Sequence, residues 1–345
     1  MARTHVSKRP KRQGQAAPST REKNRESATK EISREEKSGM LLTLLASCGV
    51  ALVVVVLGVL LRPTQPQVLI PTPVHDLNSE EQARVEAREE RPMDARPTVE
   101  FLAKYPHDAA AFTQGFTVVN RGNEKLFIES TGLYGKSTLR RVDIESGKVL
   151  KQYDLPEELF GEGVTLGLNN ELVMLTWKSK SGFVFNLDET ADGEVDGFAL
   201  HSEFSFDTTT GEGWGITFDG KDLVVSDGSS TVMFWDPLTK KEVRRIEVTI
   251  YNGNQPISHV NELEIAKGFI YANVWYQPYI LKIDPETGAV VTMFDLSKLL
   301  ADAGADISAG EVLNGIAYDD TEDVFYVTGK LWNSVYKVRL VDPVQ

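Results

Sequence analysis

The sequence is poor in the residues that form cross-links and metal centres. Among its 345 residues there is one cysteine, Cys48, and there are five histidines. Cys48 lies in an apolar run, so the rest of the chain contains no disulfide and its core must be held by packing alone. The histidines after that run lack the spacing of zinc ligands, so we predict no catalytic metal and no cofactor. The chain also lacks the Gly-x-Ser-x-Gly motif of a nucleophile elbow.

Basic residues are scarce after the first 39 positions. Residues 1–39 carry eleven Lys and Arg against five acidic residues, with almost no apolar side chains, so we expect a disordered basic tail in the cytoplasm. The remainder has 26 basic and 45 acidic residues, a net charge of −19. Because nucleic-acid binding requires a basic surface, this balance argues against nucleic acid as a partner.

Residues 40–61 form a long hydrophobic run of 22 residues without a charge. At about 1.5 Å per residue, a helix of this length spans a hydrocarbon core of about 30 Å. Eleven basic residues precede the run and only Arg62 follows closely, so the positive-inside rule predicts a signal-anchor transmembrane helix with a cytoplasmic N-terminus. The later residues are then lumenal, periplasmic or extracellular. A cleaved signal peptide is the alternative, but the basic region and the apolar run are both longer than usual for one.

Residues 62–97 are rich in proline and charge and have no apolar stripe. We interpret them as a stalk between the membrane and a domain formed by residues 98–345, with a short polar helix near residues 80–90. From Pro97 onward, short runs of Val, Ile, Phe, Tyr and Leu alternate with Gly, Asp and Asn turns, which is typical of an all-β domain. Within it only residues 297–303 resemble a short helix.

Five segments of this domain repeat one pattern, a polar or aromatic residue, usually then glycine, and then an apolar strand. They are Gln114-Gly115-Phe116, Glu162-Gly163-Val164, Trp214-Gly215-Ile216, Asn261-Glu262-Leu263 and Asn314-Gly315-Ile316, at successive spacings of 48, 52, 47 and 53 residues. Five units of about 50 residues, with about four strands each, predict a five-bladed β-propeller. The last unit lacks a fourth strand, and we expect residues 98–105 to supply it by pairing with residues 334–340.

Equivalent positions in the blades of a propeller lie around its axis, so the first residues of the five segments should converge at one mouth of the channel. A second recurring signature, 13 to 17 residues later, should bring to the same rim Trp177, Lys178, Asp227, Trp275 and Lys330. One carboxylate, several amides and aromatic walls around a concave site are typical of a small-molecule pocket. Turn formation accounts for each polar residue singly but not for their recurrence.

Eight short motifs occur in order over residues 101–340: HDAAAFTQGF, FGEGVT, LTWK, GEGWGIT, SDGS, VNELE, ANVW and LNGIAYD. In this set the sequence resembles the plant and bacterial type of glutaminyl-peptide cyclotransferase, a family of five-bladed propellers. The resemblance implies conversion of N-terminal glutamine of peptides or proteins to pyroglutamate with release of ammonia, without zinc. It implies that Glu162 is the catalytic acid/base. It assigns to the substrate pocket Phe112, Gln114, Phe160, Trp177, Trp214, Asn261, Trp275 and Lys330.

Two other functions remain open at this point. A propeller on a membrane stalk is compatible with a non-enzymatic binding module. A lactonase-like propeller hydrolase would need a metal held by several carboxylates, whereas Glu162 is the only obvious acid among the five axial positions. His107 and Asp108 resemble an acid–base pair but are better interpreted as part of a hydrogen-bonded turn. The acid-rich segment 181–206 departs from the family pattern close to Trp177.

Overall fold

The computed structural model describes residues 96–121, 124–189, 195–250 and 253–343. The predicted basic tail (1–39), the predicted transmembrane helix (40–61) and the stalk up to residue 95, with its short polar helix, lie outside these ranges. Within them, no helix is long and apolar enough to cross a membrane. The described residues form an all-β domain of five four-stranded antiparallel sheets and one two-stranded hairpin. The five sheets are the five blades of a propeller.

The strands are numbered in chain order, and β1 (Thr98–Pro106) precedes the first blade. The first blade contains β2 (Thr113–Arg121), β3 (Glu124–Thr131), β4 (Thr138–Asp143) and β5 (Val149–Asp154). The second contains β6 (Gly161–Leu166), β7 (Glu171–Thr176), β8 (Ser181–Glu189) and β9 (Val195–Ser205). The third contains β10 (Ile216–Phe218), β11 (Leu223–Ser226), β12 (Thr231–Trp235) and β13 (Glu242–Glu247). After the hairpin of β14 (Thr249–Ile250) and β15 (Gln255–Pro256), the fourth contains β16 (Val260–Ala266), β17 (Phe269–Val274), β18 (Tyr279–Ile283) and β19 (Val290–Asp295). The last contains β20 (Leu313–Asp319), β21 (Val324–Gly329) and β22 (Ser334–Val341).

The fifth blade is completed by the first strand of the domain. β1 lies next to β22 in the sheet order β1-β22-β21-β20 and pairs antiparallel with it, from Thr98 opposite Val341 to Pro106 opposite Ser334. The predicted pairing of residues 98–105 with residues 334–340 is therefore confirmed. Because the two ends of the domain share one sheet, the ring is closed by backbone hydrogen bonds.

A separate hydrophobic cluster fills each interface between neighbouring blades of the described domain. Between the first and second blades, for example, Leu139 packs with Met174 and Phe185, and between the fifth and first blades Tyr326 packs with Phe127. The other interfaces are built in the same way. This stacking explains the strand sequences. Inner strands such as β7 and β11, the second strands of their blades, are buried on both faces and consist of nearly continuous apolar residues. Outer strands such as β5 and β13 are largely exposed.

Glycine in the repeat pattern permits close contact between innermost strands near the axis. A Cβ atom on Gly163 would lie 2.7 Å from the carbonyl oxygen of Trp214, and one on Gly215 would lie 2.1 Å from the carbonyl oxygen of Asn261. Real side chains do not tolerate such distances to backbone atoms. The backbone amide of Gly163 instead donates a hydrogen bond of 2.7 Å to Trp214.

Two further segments fix the surroundings of the channel. The predicted helix is present as α1 (Ser297–Ala303), between the fourth and fifth blades. The acid-rich segment 181–206 forms β8 and β9, which pair from Ser181 opposite Ser205 outward to Glu189 opposite Val195. It therefore builds the outer half of the second blade rather than an edge of the pocket.

Candidate active site

The first residues of the five repeat segments lie at the start of the innermost strands. Gln114, Glu162, Asn261 and Asn314 are each the second residue of β2, β6, β16 and β20, and Trp214 stands just before β10. The four polar side chains are almost completely buried, at 0–4 % exposure. Since the innermost strands start at the same end of the channel, these residues share one site, as the repeat predicted.

Direct hydrogen bonds join these residues across blade boundaries. Gln114 Nε2 donates to Glu162 Oε1 at 3.3 Å. Asn314 Nδ2 donates to the carbonyl oxygens of Thr113 at 2.9 Å and of Gln114 at 3.4 Å. The hydroxyl of Ser130 donates to the carbonyl oxygen of Glu162 at 2.5 Å. Both Gln114 and Glu162 are therefore held through backbone and side chain by neighbouring blades.

Glu162 and Lys330 are two buried titratable groups that shift each other's pKa values. Burial raises the pKa of Glu162 well above its ordinary value, Lys330 opposes this shift, and Glu212 adds to it. Burial also lowers the pKa of Lys330 to about 8, although Glu162 opposes that change. The pKa values of this carboxyl and this amine are therefore shifted towards each other, as is common at functional sites. This property is typical of a general acid/base.

Aromatic side chains form the walls of the site in two groups. Phe160 contacts Phe112 edge to face at 6.2 Å between ring centroids, and contacts Trp177 at 5.4 Å. Trp214 and Trp275 make a second edge-to-face pair at 5.5 Å. The Nζ atom of Lys330 lies 4.7 Å from the centroid of the Phe112 ring, where a cation is attracted by the π electrons. These rings place apolar surface beside the polar residues at the start of the innermost strands.

Three buried amide oxygens in this ring have no hydrogen-bond donor within the described chain. They are Oε1 of Gln114, Oδ1 of Asn261 and Oδ1 of Asn314. Buried acceptors without a donor are uncommon in folded proteins, because desolvation of each one costs about 1–3 kcal/mol. All three belong to residues at the start of innermost strands, so they are acceptors that no described protein group occupies.

Comparison with known proteins supplies the family. A family model described as glutamine cyclotransferase matches residues 75–340. A curated glutaminyl-peptide cyclotransferase from Arabidopsis thaliana is 39% identical over 243 residues, which cover 70% of this chain and 71% of that protein. The chain belongs to the glutamine cyclotransferase family. The crystal structure of Myxococcus xanthus glutaminyl cyclase, at 32% identity and a TM-score of 0.62, covers 72% of this chain and 99% of that one. The family and the propeller fold predicted from the motifs are confirmed.

Two residues expected at the rim of this family member's pocket have other roles. Asp227 is 1 % exposed, and its carboxylate accepts hydrogen bonds from the backbone amides of Thr210, at 2.8 Å, and Ser229, at 3.1 Å. The carboxylate therefore shapes two turns. The Nζ atom of Lys178 lies 3.7 Å above the ring of Trp177 and 3.7 Å from Glu212 Oε1. Trp177, Trp275 and Lys330 do reach the site.

Glu212 was not predicted from the sequence, although it contacts two of the tryptophans that form the walls of the site. Its Oε2 atom accepts the indole N–H of Trp177 at 2.7 Å and that of Trp214 at 2.9 Å. The only available signal was an acidic residue two positions before a pocket tryptophan.

Glu162 is not the only acid near the axis. Glu262 stands where the other four repeat segments have glycine and is 1 % exposed. Its two carboxyl oxygens accept the backbone amides of Phe116, at 3.3 Å, and Ile316, at 2.9 Å. Burial and the nearby Glu264 raise the pKa of Glu262 well above its ordinary value. This carboxyl links the fourth blade to the first and fifth, and the departure from glycine was its signal in the sequence.

His107 and Asp108 do not pair with each other, in agreement with their interpretation as a turn. The carbonyl of Asp108 accepts the backbone amide of Ala111 at 2.8 Å, and its carboxylate accepts Arg140 at 2.8 Å. His107 bonds instead to Glu129, at 2.9 Å. Neither residue contacts Glu162. Among the described residues, no group of three or more His, Cys, Asp or Glu side chains is placed to hold a metal ion.

Proposed function

We propose that Glu162 is the acid/base with which this enzyme converts the N-terminal glutamine of peptides and proteins to pyroglutamate and ammonia. The observation that carries the proposal is the buried Glu162 carboxyl, hydrogen-bonded by Gln114 at the base of an aromatic pocket. The substrate pocket around it consists of Phe112, Gln114, Phe160, Trp177, Trp214, Asn261, Trp275 and Lys330.

The reaction requires one proton to move twice. The α-amine nitrogen attacks the side-chain amide carbon, a C–N bond forms, and Glu162 as carboxylate takes a proton from the amine. The same carboxyl then gives that proton to the departing nitrogen, the original C–N bond breaks, and ammonia leaves. The α-amine has an ordinary pKa of about 7.7–8.0, so a useful fraction is already neutral. Because the attack is intramolecular, holding the substrate in a near-attack conformation is a large part of catalysis.

The other polar groups match the substrate's remaining requirements. An N-terminal glutamine brings N–H donors on its amine and its carboxamide, and the unpartnered oxygens of Gln114, Asn261 and Asn314 are acceptors for them. Lys330, with a pKa of about 8, and the amide of Asn261 stabilise the oxyanion that develops on the attacked amide. The aromatic walls exclude water and strengthen these interactions.

The test is ammonia release from a glutamine-initiated dipeptide by the full-length protein. Glu162→Gln keeps the shape of the side chain and removes proton transfer, so we expect the rate to fall by roughly 10²–10⁴. Glu145→Gln is the matched control, because Glu145 is exposed in the hairpin between β4 and β5. Activity should persist in chelator. A folded Glu162→Gln protein with the wild-type rate would place the acid/base elsewhere.

We further propose that residues 40–61 anchor the enzyme to a membrane with residues 1–39 in the cytoplasm, and that residues 62–97 form the stalk of an exported catalytic domain, residues 98–345. Support comes from the uncharged run of 22 residues and from the eleven basic residues before it. The substrates would then be peptides and proteins on the lumenal, periplasmic or extracellular side.

Protease added to sealed vesicles of known sidedness tests this orientation. An exported domain is cleaved from the outer face of right-side-out vesicles, and a cytoplasmic domain is protected until detergent opens them. Recovery of the full-length protein in the soluble fraction without detergent would contradict the anchor.

A further inference from the structure

Glu212 connects two blades through the walls of the pocket. Trp177 follows the second strand of the second blade, and Trp214 precedes the innermost strand of the third. One oxygen of Glu212 accepts the indole N–H groups of both, at 2.7 and 2.9 Å. Each tryptophan in turn contacts another wall, since Trp177 packs on Phe160 and Trp214 packs on Trp275. Glu212 is therefore the link between the two aromatic groups.

A carboxylate is well suited to this position. An indole has a single N–H donor and no acceptor, so two indoles can share one partner only if it accepts twice. Charged acceptors also make stronger hydrogen bonds than neutral ones. The backbone of Glu212 is itself fixed, because its carbonyl oxygen accepts the Thr208 hydroxyl at 2.7 Å and its amide donates to Thr210 Oγ1 at 3.3 Å. The acceptor is thus in place before any substrate arrives.

We propose that Glu212 is a positioning residue for the cyclisation, which holds Trp177 and Trp214 as fixed walls against which the N-terminal glutamine folds into its reactive conformation. This inference rests on the proposed function. Without the link, each indole keeps its ring contacts but regains rotational freedom, and the pocket must be ordered by the substrate on binding. The loss therefore falls mainly on KM, because it weakens ground-state and transition-state binding alike.

The charge of Glu212 provides a second, separable effect. It adds to the effect of burial on the pKa of Glu162, which Lys330 opposes. Glu212 is itself paired with Lys178, whose Nζ atom lies 3.7 Å from its Oε1 atom. A variant that keeps the two hydrogen bonds and removes the charge should therefore lower the pKa of Glu162. The acidic limb of the pH profile of kcat/KM should move to lower pH in that variant.

Three variants of the full-length protein separate these effects. Glu212→Ala removes the acceptor and the charge, and we expect kcat/KM to fall roughly 10- to 100-fold, mostly through KM. Glu212→Gln retains an oxygen that accepts both indoles, so it should restore most of the KM while shifting the acidic limb. Asp207→Asn is the matched control, because Asp207 is an exposed acid near the same loop that pairs with Lys180 and contacts neither indole.

Indole N–H resonances report the link independently of catalysis. The chain has five tryptophans and hence five such resonances. Two of them should move in Glu212→Ala, keep near-native positions in Glu212→Gln, and stay unchanged in Asp207→Asn. If Glu212→Ala does not fold, Trp177→Phe removes one donor and should move the Trp214 resonance and raise KM.

Unchanged KM and unchanged indole resonances in Glu212→Ala would overturn the inference. Failure of the wild-type protein to release ammonia would instead overturn the proposed function, and the resonances would still decide whether Glu212 holds the two indoles.

Discussion

A buried ion pair at the closing seam of the ring should contribute strongly and measurably to stability. His107 follows β1, and its Nδ1 lies 2.8 Å from the carbonyl oxygen of Trp332 and its Nε2 lies 2.9 Å from Glu129 Oε1. Because both neighbours are acceptors, both ring nitrogens must donate, which only the imidazolium form can do. The two side chains are 2% and 1% exposed. The fifth and first blades therefore share a desolvated charge pair.

Replacing Glu129 leaves the charge of His107 buried without its partner, which costs about 3–5 kcal/mol. Replacing His107 leaves Glu129 with only the more distant Arg140, whose Nη1 atom lies 3.9 Å from Oε2, so we expect a loss towards the lower end of that range. For a domain of this size each kcal/mol lowers Tm by about 2–4 °C, so His107→Leu or Glu129→Leu should melt roughly 6–20 °C lower. Apolar replacement of both partners removes both uncompensated charges. We therefore expect the double variant to be at least as stable as either single variant, as measured by circular dichroism during heating and in denaturant.

The stabilisation from the His107–Glu129 pair should depend on pH in a defined direction. Burial lowers the pKa of His107, but Glu129, the carbonyl of Trp332 and Asp108 together more than offset it, so the pKa stands above its ordinary value. The stabilisation is then complete below about pH 6.5 and is lost as pH rises through the raised value. For Glu129, burial raises the pKa but His107 brings it below the ordinary value, so its contribution is lost as the solution becomes strongly acidic. The coupling should be greatest between about pH 4.5 and 6.5. Losses in the two single variants that simply add up in the double variant at pH 6 would refute the argument.

Three other changes test the ring and the pocket. Deletion of residues 98–106 should lower Tm of the whole domain because β22 loses its partner, whereas deletion of residues 62–95 should leave Tm unchanged in the same melting experiment. Gly163→Ala places a Cβ atom 2.7 Å from the carbonyl oxygen of Trp214 and should lower the free energy of unfolding by roughly 1–3 kcal/mol in denaturant titrations, a loss that an unstrained site would not show. Trp275→Ala removes a wall and leaves the proton shuttle in place, so KM for a glutamine-initiated dipeptide should rise while kcat stays near wild type. A fall in kcat alone would contradict that role.

The fold could be predicted from the sequence because each of the five blades of a propeller needs the same residue pattern at the start of its innermost strand. A polar residue, a glycine and an apolar strand recur wherever an innermost strand begins beside the axis, and the spacing of 47 to 53 residues gives the blade count. The closing strand could also be predicted, because the fifth unit lacks a fourth strand of its own. The convergence of Gln114 and Glu162 needed only the symmetry of the fold.

The remaining features depend on side-chain direction, which repeats do not encode. Asp227 occupies a recurring position, but the sequence does not show that its carboxylate binds the backbone amides of Thr210 and Ser229. Glu212 occupies no recurring position, yet it points between two blades at two indoles. Glu262 was visible as a broken glycine pattern, but its partners come from the first and fifth blades and cannot be inferred from the fourth blade alone.

The strand that closes the ring is the first part of the domain that the ribosome makes and the last that can pair. Thr98 lies opposite Val341, 243 positions later in the chain. At about 5–20 residues per second, synthesis of that interval takes roughly 12–50 s. Throughout this time β1 presents an unpaired edge, and the first blade lacks the neighbour that covers Phe127. The nascent chain must therefore be kept from pairing with other chains until its final strand emerges. The risk of aggregation during folding thus depends on how long translation of the domain takes.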